Sequence, residues 1–229
     1  MGHIQKKEIR HRSQICVTND FVVERSAISI LREVYPQLRR TGLDDFTKWL
    51  VPADNASWLC VIKAIANFIL FQLAWFAAVL GGAHGWVLLG VLPAIVVVAI
   101  HLGSKLAHLK QEILLVLGVT ALGVIFETAF IAFGAIHYAG SSGNAVLPPI
   151  WIAALWFAFG TLPNGSLGWL SGRIWPQLLL GAVFGPLSYF GGVRLGAATM
   201  GEPVVISLAV IGCGWALAMA LIFKMADKR

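Results

Sequence analysis

Glu127 is the one charged residue in the apolar stretch 113–136. A carboxyl in such surroundings is either protonated or paired. On a helical wheel it shares a face with Thr120, Gly123 and Gly134, which turns it toward neighbouring helices rather than outward. Arg194, near the end of a later apolar run, is its partner by depth. Two readings of such a pair stand open. It lines a polar cavity that binds a lipid headgroup or relays protons, or it is a structural pair that fixes helix packing, with Arg194 partly snorkelling outward. Gln72, with Trp75 one turn on and on the same side, could face the same cavity, as could the hydroxyl of Tyr189. Asn67 reads either as a further pocket residue or as a hydrogen-bonding group that orients its helix.

Gly181, Gly185, Gly192 and Gly196 recur at spacings of four, seven and four, which places them on one helical face and lets another helix approach closely. Arg194 points away from that stripe. Pro186 follows Gly185 and is expected to kink the helix and free a backbone carbonyl.

Other chemistries lack their residues. Ser166, within Asn164-Gly165-Ser166-Leu167-Gly168, has no preceding strand and is no nucleophile elbow. His84, His101, His108 and His137 form no His-x-x-x-His metal pair. Cys16, Cys60 and Cys213 lie far apart and read as three unpaired thiols. Phosphate-binding loops, dinucleotide fingerprints and acidic metal motifs are missing, so no cofactor and no metal are expected.

The elements that must position these residues are apolar helices. Hydrophobic residues make up 58% of the 229 positions and charged residues 12%, against about 25% charged in soluble domains. Mean hydropathy is +0.80. Lipid must therefore solvate most of the surface. Helices are expected at 62–82, 86–102, 113–136, 148–163, 174–195 and 204–223, giving an all-α membrane protein, a polytopic bundle of about six transmembrane helices. The fourth is short and bounded by Pro148, Pro149 and Pro163, so it either spans by local thinning or lies as a re-entrant segment.

Charge placement sets the orientation. Residues 1–57 are mixed and polar, carrying nine of the seventeen Lys and Arg and seven acids. They read as a cytoplasmic extension, or as a stretch upstream of the native start, ahead of a 58–229 transmembrane domain. Lys105 and Lys110, Arg173, and Lys224, Lys228 and Arg229 fall on alternate loops, whereas 83–85 and 137–147 carry no Lys or Arg. Six crossings put every basic segment and both termini in the cytoplasm of a bacterial inner membrane. The net charge of +6 follows this pattern and forms no contiguous patch, which argues against nucleic acid as a partner. The expected partners are the lipid bilayer and other membrane proteins.

Three ordered motifs carry a resemblance. They are Asn67 to Gly81 (NFILFQLAWFAAVLG), Pro148 to Trp156 (PPIWIAALW), and Gly185-Pro186-Leu187-Ser188-Tyr189 continuing to Gly192-Val193-Arg194-Leu195-Gly196-Ala197. Over residues 62–223 the chain resembles the bacterial membrane family termed domain of unknown function 2878. The resemblance implies no reaction, since the family has no assigned activity. Its genes lie near those of cyclopropane-fatty-acid-synthase-like proteins, a hint toward lipid metabolism. The expectation is thus a pocket around Glu127, Arg194, Gln72 and Tyr189 that binds or helps process a lipid or other hydrophobic small molecule. The alternatives are a scaffold subunit packing through its glycine face and a small transporter.

Overall fold

The computed structural model describes residues 54–141 and 146–227, with side chains from Leu59 onward. The polar extension expected at 1–57 lies, but for its last residues, outside the described residues. From Ala66 onward the described residues form one compact unit, the helical bundle.

Among the described residues there are six α-helices: α1 Asp54–His84, α2 Val87–Gly103, α3 Leu109–Ala132, α4 Ile150–Phe159, α5 Ile174–Arg194 and α6 Val204–Asp227. The protein is an all-α membrane bundle. Three segments, Leu59–His84, Leu106–Ala132 and Val204–Asp227, are long and apolar enough to cross a membrane. Their outer faces expose large hydrophobic side chains such as Leu73, Leu114 and Leu217, which only lipid solvates without cost. Within the bundle α5 packs along α6, and α4 packs against α2 and α3.

Helix α4 has ten residues and so rises about 15 Å, half of a hydrocarbon core of roughly 30 Å. Its chain continues through turns and a short 3-10 stretch, Gly168–Leu170, before α5. Thr161, Leu162 and Leu170 are buried there. Irregular backbone at such depth needs hydrogen-bond partners from the protein itself, and the Ser166 amide finds one in the Asn67 side chain of α1.

The expected helix 113–136 ends early, at Ala132. Gly134 takes a left-handed φ of 67°, and the Ala135 amide donates back to Phe130 O at 2.9 Å, which closes the helix end. Helix α5 stops in the same way. Gly196 has φ 82°, and the Ala197 amide donates to Gly192 O at 2.9 Å. Each helix then hands over to a three-residue strand, β1 Ile136–Tyr138 and β2 Ala198–Met200. The two pair antiparallel, with Ile136 opposite Met200 and Tyr138 opposite Ala198. Alternation along β1 buries Ile136 and Tyr138 and leaves His137 exposed. Periodicity misses this ribbon because three residues are too few to carry a period.

Pro186 lies inside α5, which continues through it. Its missing amide frees the Ala182 carbonyl, and that carbonyl faces Gly212 of α6, where a Cβ would stand 3.1 Å away.

Candidate functional site

Glu127 on α3 is 1% exposed. Three donors from three separate elements converge on it. Tyr138 of β1 donates its hydroxyl to Oε2, Tyr189 of α5 donates to Oε1, and Trp156 Nε1 of α4 donates to Oε1 at 2.8 Å. The helix ends explain how these meet. Strand β1 turns the chain back over the end of α3, so Tyr138 reaches a residue eleven positions earlier. Gly123, one turn below Glu127, admits the Trp156 ring, because a Cβ there would stand 2.0 Å from that indole. Trp156 stacks on Trp215 of α6, with centroids 4.6 Å apart and planes 19° from parallel. Tyr189 meets Phe130 edge to face at 6.0 Å. Aromatic packing therefore holds each donor in place.

The carboxyl forms part of the wall of a cavity of about 570 Å³, within the usual range for small-molecule sites of roughly 300–1,000 Å³. Its lining is mostly apolar and aromatic, with Phe71, Trp75, Trp151, Phe159 and Trp215 prominent. Gln72 also lines it, and among the described residues its amide makes no hydrogen bond. The indole N–H groups of Trp151 and Trp215, both lining residues, are buried without a hydrogen-bond partner. Trp215 stands beside Tyr189, centroids 6.4 Å apart, without its N–H closing a bond in good geometry. An unpaired buried donor costs about 1–3 kcal/mol, and these two nitrogens are packed within the protein, so the cavity's unused hydrogen-bonding capacity lies in the Gln72 amide.

The structure brings Glu127, Tyr189, Gln72 and Trp75 to this one cavity. Arg194 does not join them. It is exposed at the end of α5, its guanidinium 5.0 Å from the centre of the Phe190 ring, and the expected Glu127–Arg194 ion pair is not formed. Tyrosine hydroxyls and an indole take the place assigned to the cation. The physical reason is direction: Arg194 leaves the helix on the side away from the glycine face, and at the helix end it has an outlet to the interface.

The four glycines divide by role. Cβ atoms at Gly181 and Gly185 would stand 2.4 Å from Trp215 O and Trp215 Cγ, so these two let α6 approach. Gly192 lines the cavity, with nothing within 4 Å of where its Cβ would be. Gly196 lies past the helix end, in the left-handed turn that closes α5.

Asn67 stands apart from the cavity lining and belongs to a second polar group, around the turns after α4. Its Nδ2 donates to Thr161 Oγ1 at 3.2 Å, and its Oδ1 accepts the Ser166 amide at 3.0 Å. Gly165 is needed there, because a Cβ would meet Asn67 Oδ1 at 2.3 Å. Close in sequence, Asn164 Nδ2 donates to Glu112 Oε1 at 2.9 Å, and His101 Nε2 lies 3.0 Å from Glu112 Oε2. His101 and Glu112 are both 6% exposed. These side chains supply the partners that the irregular segment after α4 requires.

Sequence reasoning missed Tyr138, Trp156, Trp151 and Trp215. Polar-tipped aromatics inside apolar runs are the signal that could have raised them, since a buried indole or phenol needs a partner. The His101–Glu112 pair was also missed, although two titratable residues flanking a short helix–helix loop are natural neighbours. Cys60 is disulfide-bonded, against the expectation of three unpaired thiols, while Cys213 is free and exposed. Spacing says little about pairing between distant thiols. Among the described residues, no cluster of three His, Cys, Asp or Glu could hold a metal ion.

No curated protein and no solved structure matches the chain. A family model does match, over residues 64–221, which takes in nearly the whole helical bundle and every residue of the Glu127 site, and on that match the chain belongs to the family described as "Protein of unknown function (DUF2878)".

Proposed function

We propose that the Glu127 cavity binds a hydrophobic small molecule from the bilayer and holds its polar end against the carboxyl. The observation that carries this reading is one buried carboxyl at the wall of a largely apolar cavity, fixed by donors from α4, α5 and β1. A carboxyl kept only for packing would be a costly choice inside hydrocarbon, where Leu fills the same space without polar partners. Held in place by three donors, Glu127 is preorganised to accept a ligand's hydrogen bond without rearranging. The same reading places the protein in a bacterial inner membrane, with six crossings and the Lys- and Arg-bearing ends in the cytoplasm.

Native mass spectrometry of protein released from lipid nanodiscs tests the binding. Wild type is expected to retain a defined adduct at one per chain. Gly192→Leu, which puts a side chain into open cavity space, is expected to lower its occupancy about tenfold. An adduct-free wild type, or equal retention by the variant, would overturn the proposal.

A further inference from the structure

We propose that the occupant is a single-chain lipid with an uncharged, hydroxyl-bearing head, of the monoacylglycerol class, admitted sideways from the bilayer between α1 and α5. This rests on the binding reading above and names the ligand for it.

Shape comes first. The cavity is lined along α1 from Phe68 to Val79 and along α5 from Leu180 to Gly192. At the helical rise these runs measure about 17–18 Å, slightly more than half of a hydrocarbon core of roughly 30 Å. The space thus has the length of one extended acyl chain in one leaflet. Phe68, Phe184 and Leu187 line it and are also 47%, 60% and 56% exposed, so it opens on the lipid-facing surface between the two helices. Nearer the ribbon end the helices meet, with Trp75 packed toward Gly191, where a Cβ would stand 3.3 Å from the ring. The opening is therefore lateral and at acyl-chain depth.

Polarity orients the chain. Glu127, Tyr138 and Tyr189 lie toward the ribbon end, with Gln72 further along α1, whereas the other end is closed by Leu162, Leu167 and Met219. The head belongs at the first and the tail at the second. The lining contains no Lys, Arg or His, and Glu127 is its one carboxyl, so a phosphate or carboxylate head would enter without a counter-charge. Two carboxyl oxygens offer about four acceptor positions, of which three are taken. One acceptor position on Glu127 remains, and the Gln72 amide, which lines the cavity and makes no hydrogen bond among the described residues, offers both a donor and an acceptor. A hydroxyl serves both kinds at once. An ammonium would leave the Gln72 amide N–H groups unmet, and a plain hydrocarbon would leave everything unmet.

The test uses the full chain in nanodiscs and a monopalmitoylglycerol analogue with a diazirine at the chain end and an alkyne for detection. Labelling is expected on peptides carrying Leu162, Leu167 or Met219, and competition by unlabelled monopalmitoylglycerol is expected to exceed that by palmitate or dipalmitoylglycerol about tenfold. Gly192→Leu should suppress labelling. Leu187→Trp, at the lipid-exposed rim and away from the core, should slow it even if the first variant folds poorly. Equal competition by palmitate overturns the uncharged head, and equal competition by dipalmitoylglycerol overturns the single chain. Labelling confined to lipid-facing surfaces overturns the site. A missing label beside a retained native adduct sinks this inference alone, whereas a missing label with no adduct sinks the binding reading with it.

Discussion

Glu127 gathers donors that come from far apart in sequence: Tyr138 lies 11 positions away, Trp156 29 and Tyr189 62. A network of this kind responds as a unit, because each donor is oriented by the same carboxyl and each supports the others' geometry. A hydrogen bond contributes about 0.5–1.5 kcal/mol and a buried acceptor left without its donor costs about 1–3 kcal/mol, so Tyr138→Phe and Tyr189→Phe should each lower unfolding free energy by about 1–3 kcal/mol. Glu127→Leu should do more damage than either, since it leaves all three donors without an acceptor. Unfolding of the single and double variants in bicelles measures this. The double Tyr variant should fall short of the sum of the singles, and strict additivity would show that the tyrosines act independently.

At the scale of elements, α5 carries glycines on one face with unequal consequence. Gly185 abuts the Trp215 ring and Gly192 opens on the cavity. Gly185→Ala forces a methyl to 2.4 Å from Trp215 Cγ, which α6 can relieve only by shifting. Overpacking of this kind costs about 1–3 kcal/mol. Gly192→Ala adds its methyl to empty space within a helix, where alanine is the better residue by up to about 1 kcal/mol. Thermal unfolding in detergent should therefore show a clear loss for the first and no loss for the second. If both lost equally, the division of roles along the stripe would be wrong.

For the whole molecule, the number of bilayer crossings turns on α4. This helix is too short to cross by itself, but α4 and the buried turns after it lead from the exposed His137 to the 171–173 loop. Ser104 and Ser171 occupy the turns at the opposite ends of their helices from His137. With Cys213 replaced by alanine, cysteines placed at Ser104 and Ser171 should resist an impermeant maleimide in intact spheroplasts, while one at His137 should react. Reaction of all three, or of Ser171 with His137 but not Ser104, would contradict six crossings.

Much of this architecture is legible in sequence because lipid imposes a local rule: every backbone donor must be satisfied within its own segment, so each apolar run of sufficient length becomes a helix. Helices α2, α5 and α6 begin within a residue of where hydropathy and punctuation place them, whereas α1 starts eight residues earlier, α3 lies four residues earlier at both ends, and α4 is short for the reason its flanking prolines suggest. Glu127 also stands out, because one carboxyl in an apolar run needs no partner in view to be conspicuous. Its partners are not legible in the same way. Charge and depth, the two quantities that can be read along a single chain, select Arg194. The decision in favour of Tyr138, Tyr189 and Trp156 depends on a left-handed glycine that ends α3 early, a ribbon too short to show a period, and a glycine that lets an indole lie flat against α3. These are contacts between distant segments, fixed by how helices rotate and approach one another. Composition and spacing determine the membrane and the helices; which side chains meet around the carboxyl is decided only once the helices are packed.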